Sequence, residues 1–155
     1  MSGQVESRLQ KLGLSVPMAP VPAANYVPWV RTGNLVYVAG QVPVKDGVFR
    51  WVGKLGRDWT VEEGQAAARE VALNLISQLK TALDGDLDRV VRAVKLNGFV
   101  NSMPDFVQQP HVINGASALM IEVFGEAGRH ARSAVGVAQL PFGVAVEIDG
   151  VFEVR

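Results

Sequence analysis

The chain contains no cysteine, which removes disulfides and thiolate metal sites and suits a reducing compartment. It has no surplus of either charge, since 15 Lys and Arg residues balance 15 Asp and Glu. With no run of like charge either, nucleic acid is not an expected partner, because affinity for a polyphosphate comes from clustered cations. No apolar stretch approaches the roughly 20 residues of a membrane span. The N-terminus mixes Glu6, Arg8 and Lys11 with apolar residues and lacks the core of a secretory signal. Only two histidines occur, His111 and His130, too far apart for a local metal motif. Ser7, Ser15, Ser77 and Ser133 have no Gly-x-Ser-x-Gly context, and Gly33, Gly40, Gly53 and Gly56 assemble no phosphate loop or dinucleotide fingerprint. The expectation is a cytoplasmic protein that uses no metal and no cofactor.

What is present suffices for one substantial core: 155 residues, 48% of them hydrophobic. Val5, Leu9 and Leu12 recur at helical spacing before Gly13, predicting a short helix over residues 6–14. Pro17, Pro20 and Pro22 make residues 15–24 an extended connector. Residues 26–30 and 35–44 read as strands joined across Arg31-Thr32-Gly33-Asn34. Lys45-Asp46-Gly47 marks a further turn, and residues 48–58 read as a loop or short edge strand. Thr60 to Glu63 fits a capping box, after which Ala67, Val71, Leu75, Leu79 and Leu83 recur every four residues up to the stop at Gly85. Ala68, Ala72 and Ile76 widen that stripe. Residues 90–101 read as a strand with Val90, Val94, Leu96 and Val100 on one parity, ended by Pro104. A second helix is predicted over 111–127, closed by Gly128, and final strands over 133–138 and 143–154.

In the last strand Val144, Val146, Ile148, Phe152 and Val154 face one way, while Glu147, Asp149 and Glu153 face the other. The order ββαβαββ predicts an α+β fold, a mixed sheet with two helices on one face. Its other face needs water or a second subunit. Apolar residues on both parities of 35–44 favour a subunit, and a closed homotrimer would bury three such faces. The alternative is a monomer whose N-terminal segment folds over that face. Residues 1–22 form an extension to a single domain over 23–155.

The last quarter carries the candidate chemistry. Arg132 opens one apolar run, Leu140-Pro141 turns the chain, and Glu147 sits inside the next run. The planar donor fork of arginine suits a carboxylate, and a carboxylate inside a strand can hold water and move protons. If the turn makes the two runs neighbouring strands, one site holds both groups. Taken singly, each residue has a plainer explanation. Arg132 fits a surface ion pair, Glu147 a solvated acidic face, and Tyr26 packing beside the connector. Trp29, Trp51 and Trp59 fit core or interface anchors as well as a cleft.

Asn34-Leu35-Val36-Tyr37-Val38-Ala39-Gly40-Gln41-Val42-Pro43-Val44 resembles the glycine-glutamine-x-proline strand of the YjgF/Rid proteins, the reactive intermediate deaminases also called L-PSP endoribonucleases. Ala131-Arg132-Ser133 and Leu140-Pro141 through Val146-Glu147-Ile148 resemble that family's C-terminal signature, so the resemblance covers about residues 20–155. It implies a chorismate-mutase-like fold, a homotrimer, and clefts between subunits that take a small carboxylate-bearing molecule. It implies Arg132 as the clamp on the carboxylate of an imine or enamine such as 2-aminoacrylate, and Glu147 as the residue that orients the hydrolytic water. Tyr26, Ala39, Gly40, Asn114 and Ala134 would line the pocket. Ala39 stands where the family usually has serine, and the segment up to Pro22 is longer than in compact members. The function so implied is hydrolytic deamination to a keto acid and ammonia. A binding or sensing protein for small keto acids would use the same Arg132 without needing Glu147. Ribonuclease activity stands last, against neutral charge and the lack of a histidine pair.

Overall fold

The computed structural model describes residues 3–155; Met1 and Ser2, part of the 1–22 extension, lie outside the described residues. The chain runs α1 (Gln4–Lys11), β1 (Trp29–Thr32), β2 (Leu35–Gln41), β3 (Val44–Lys45), β4 (Val48–Phe49), α2 (Val61–Ala82), β5 (Val90–Asn101), α3 (Gln109–Phe124), β6 (Ala131–Val137) and β7 (Val146–Val154). Five strands make one mixed sheet in the order β1-β2-β7-β5-β6, and only the β5–β6 pair is parallel. The expected α+β architecture with its helices on one face is therefore present.

The start of α2 holds to the residue, while α1 begins and ends earlier than the expected 6–14. Thr60 Oγ1 accepts from the Glu63 amide and the Glu63 carboxylate accepts from the Thr60 amide, a closed capping box. Ala67, Val71, Leu75, Leu79 and Leu83 are all buried along one stripe of α2 and beyond its end. They meet the inner rows of the sheet: Val36 and Val38, Leu96 and Val100, Val146, Ile148 and Phe152. The predicted helix over 111–127 starts two residues earlier and stops at Phe124, where Gly125–Gly128 tightens into a 3-10 turn.

Strand details depart from the sequence pattern where the ladder slips. The run expected over 35–44 ends at Gln41, because pairing with β7 shifts register between Val38 and Gln41. Val44 instead pairs with Phe49 in a separate small hairpin. Val94 was expected to face inward with Leu96, yet it is 36% exposed and Ala93 takes the buried place. A register shift between Ala93 and Lys95 inverts the parity there.

The larger correction concerns neighbours. The final two strands do not pair; β5 lies between β6 and β7. Helix α3 carries the chain back parallel to β5 and leaves β6 on the sheet edge. The fully buried row of β7 needs a central place, which it takes between β2 and β5.

The N-terminal segment lies on the helix layer, which overturns the alternative of a monomer covered on its open face. Leu9 of α1 is buried, Arg8 Nη1 donates to Val123 O at 3.2 Å, and Lys80 pairs with Glu6 at 2.5 Å. The proline connector is tied to α2, where Ser77 Oγ donates to Pro17 O at 2.7 Å and Gln78 Nε2 to Pro20 O at 2.6 Å. The opposite face of the sheet stays uncovered, with Val30, Tyr37 and Val135 at 52%, 47% and 46% exposure beside Glu147 and Asp149.

One carboxylate anchors α1. Asp88 accepts from the amides of Gln4 at 2.8 Å and Val5 at 2.9 Å, and these bonds hold its pKa below the usual value. A depressed pKa gives stability that is present above the unfolded value and lost as pH falls through the folded one. Below pH ~4, amide exchange in α1 is expected to accelerate before that of the sheet, and Asp88→Asn should show fast α1 exchange at every pH.

Candidate functional site

Pleating sorts the expected site residues into two groups. On β6, Arg132 stands opposite Leu96, a residue of the helix-covered row, so its side chain points toward α3. Its Nη1 donates to Asn114 Oδ1 at 2.8 Å and to Ser117 Oγ at 3.1 Å, and its Nη2 donates to Pro110 O at 3.3 Å. A guanidinium has five donors. Among the described residues, these bonds leave Nε–H and one Nη2–H without a protein acceptor. Partial burial lowers the pKa of Arg132. It also thins the competing water, which strengthens attraction to an anion. Ala134 follows two residues later on the same side of the strand.

Glu147 belongs to the other face. It stands opposite Phe99 on β5, between inward-facing Val146 and Ile148. Arg132 and Glu147 are thus separated by a strand and by the thickness of the sheet. One chain does not bring them together.

Around Glu147 the local reasons are specific. The bulge in β2 places Gly40 against its carboxylate, and a Cβ on Gly40 would meet Glu147 Oε1 at 2.2 Å. Any side chain at position 40 would displace the Glu147 carboxylate from this position. Burial first, and the charge of Asp149 second, push the pKa of Glu147 above its ordinary value. Asp149 itself accepts from Asn97 Nδ2 at 2.7 Å. Ala39 precedes Gly40 in the bulge; its amide donates to Pro28 O and its carbonyl accepts from Gln41 Nε2 at 3.1 Å. Tyr26 and Gly40 share the wall of a cavity of about 510 Å³ between the proline connector and the β3–β4 hairpin.

Two further residues join the Arg132 network. Ser117 lies one turn after Asn114 on α3 and binds both Arg132 and His130, whose Nε2 is 2.9 Å from Ser117 Oγ. His130 has the same parity as Arg132, and its Nδ1 lies 2.7 Å from Gly128 O. The spacing of Asn114 and Ser117 was a legible signal for a shared helix face. No motif in the sequence marks His130 as a partner of Arg132. Among the described residues no group of three His, Cys, Asp or Glu is placed to hold a metal ion. Among them also, no helix is long and apolar enough to cross a membrane.

Residues 6–147 match the family described as "YjgF/chorismate_mutase-like, putative endoribonuclease". The chain belongs to the YjgF family. Protein TCP17 of Trypanosoma cruzi is 56% identical, over 99% of this chain and 96% of its own. The crystal structure of Atu1372 from Agrobacterium tumefaciens, titled as a protein of unknown function, is 51% identical, superposes with a TM-score of 0.91, and covers 97% of this chain and 92% of its own. The 2-iminobutanoate/2-iminopropanoate deaminase of Dermatophagoides farinae is 28% identical, over 89% of this chain and 92% of its own. The glycine-glutamine strand of this YjgF protein is β2 with its bulge, and its C-terminal signature is β6 through β7.

The raised pKa of Glu147 makes a stability prediction with a definite sign. A carboxyl that holds its proton more tightly when folded destabilises the fold as pH rises above the unfolded value, and fully so above the folded one. Glu147→Gln should therefore be more stable than the parent at pH 7, with the gap narrowing below pH ~4. Urea unfolding at the two pH values reads the difference.

Proposed function

We propose that this protein hydrolyses a small imine or enamine bearing a carboxylate, of the 2-aminoacrylate type, to a keto acid and ammonia. The observation that carries the reading is the guanidinium of Arg132, held by three acceptors on α3 with two of its five donors left open. An arginine so held can give charge-assisted hydrogen bonds to a carboxylate. The deaminase name of a relative at 28% identity supports the same chemistry.

The chemistry needs little beyond placement. The enamine tautomerises to 2-iminopropanoate, water adds to the imine carbon, and the resulting carbinolamine expels ammonia to leave the ketone. Holding the carboxylate fixes the position of the imine carbon, and orienting a water against it removes the entropic part of the barrier. Glu147, with its raised pKa, takes a proton from the attacking water and returns it to the departing nitrogen.

Because Arg132 and Glu147 occupy opposite faces of one sheet, the site is shared between copies of the chain. One subunit gives Tyr26, Ala39, Gly40 and Glu147 from the uncovered face and its rim. The next gives Asn114, Arg132 and Ala134 from the β6 edge. A closed ring of three buries Val30, Tyr37 and Val135 and repeats the cleft three times. Light scattering at low micromolar concentration should give about three times 16.6 kDa, whereas a mass near 16.6 kDa would remove the shared site.

The activity test is ammonia release from freshly generated 2-aminoacrylate. The parent should exceed the buffer rate, and Arg132→Ala should lose about 100-fold of that gain. No acceleration by the parent would end the deaminase reading. A second reading rests on the separation of the two groups. Arg132 with its α3 acceptors forms a complete anion grip without Glu147, as a keto-acid sensor would need. Calorimetry with pyruvate, showing binding kept in Glu147→Gln and no turnover by the parent, would favour it.

A further inference from the structure

The clamp on β6 is backed by a second layer that ends on the main chain. A carbonyl oxygen only accepts, so the 2.7 Å contact to Gly128 O places the proton of His130 on Nδ1. Burial and the adjacent charge of Arg132 lower the pKa of His130, against the opposing bond to Gly128, so the ring is neutral and its Nε2 is an acceptor. Nε2 then takes the hydroxyl hydrogen of Ser117 at 2.9 Å, which turns a lone pair of Ser117 Oγ toward Arg132 Nη1 at 3.1 Å. The direction of every hydrogen in this chain is decided by the one before it. Other charges nearby are engaged elsewhere, Arg129 with Glu126 and Arg69 with Glu122.

We infer that Ser117 and His130 are positioning residues that lock the guanidinium of Arg132 through a relay anchored on Gly128 O, and so set the angle at which its open donors meet the substrate carboxylate. The inference rests on the reading of Arg132 as a carboxylate clamp. An arginine on an edge strand otherwise keeps large rotamer freedom, which each binding event would have to quench. A hydroxyl alone leaves its hydrogen free to rotate. The neutral imidazole removes that freedom, because only one arrangement satisfies Gly128 O, Ser117 and Arg132 together. The Nδ1–H tautomer is therefore part of the site.

The test uses nitrogen-15 NMR of the full chain labelled at histidine and arginine, with pyruvate as the carboxylate probe. The parent should show His130 protonated on Nδ1 and bare on Nε2, with slow rotation of the Arg132 guanidinium. Pyruvate, by neutralising the charge of Arg132, should raise the pKa of His130. Ser117→Ala and His130→Leu should each speed the rotation and weaken pyruvate binding about 10-fold. His130→Gln, whose amide oxygen can accept from Ser117, should restore binding to within about twofold. A proton on Nε2 overturns the relay. So does a folded Ser117→Ala that rotates as slowly and binds as tightly as the parent. If the parent binds no pyruvate while Ser117→Ala still frees a slowly rotating Arg132, the lock stands and the clamp reading falls.

Discussion

The pleat of one sheet governs everything proposed for this molecule. Strand β5 lies between β6 and β7, and alternation along the strands sends Arg132 to the helix-covered side and Glu147 to the open side. No rotamer change carries either group through a sheet whose inner row is fully buried at Leu96, Val146 and Ile148. The same alternation that builds the core thus splits the chemistry into two halves. It also leaves a face with exposed apolar residues, which the proposed assembly would bury.

Each half is prepared for a different task. The cationic half is an arginine whose bonds to Asn114, Ser117 and Pro110 O leave two donors available. The acidic half is a carboxyl pressed against Gly40 and next to Asp149, an environment that favours retention of a proton. Neither environment perturbs the other within a chain. In the proposed shared site the charges would meet where the β6 edge of one subunit approached the open face of another, with the anion of the substrate between them.

The sequence made the helices legible because their stripe and cap are local. Thr60, Glu63 and the four-residue recurrence through Leu83 needed no tertiary information. Strand existence was equally legible, but strand order was not. Leu140-Pro141 signals a turn without stating whether the next strand lies beside β6 or beyond β5. Val94 illustrates a finer failure, since a bulge inverts parity without any glycine or proline to announce it. In the site, the resemblance names both Gly40 and Glu147, and the structure places the Glu147 carboxylate against Gly40. Ser117 escaped notice because serine was weighed as a nucleophile and never as a link between an arginine and a histidine.

The central claim is that one functional site takes Arg132 from one chain and Glu147 from another. Subunit complementation tests it most directly. Arg132→Ala and Glu147→Gln chains, carrying different tags and refolded together at equal ratio, are purified as mixed assemblies and assayed for ammonia release from 2-aminoacrylate. A shared site regains both groups wherever an intact Arg132 meets an intact Glu147, which happens at one of the three sites of every mixed ring, about one third. Activity near that fraction of the parent is the predicted result. Mixed assemblies as inactive as either variant alone would contradict it.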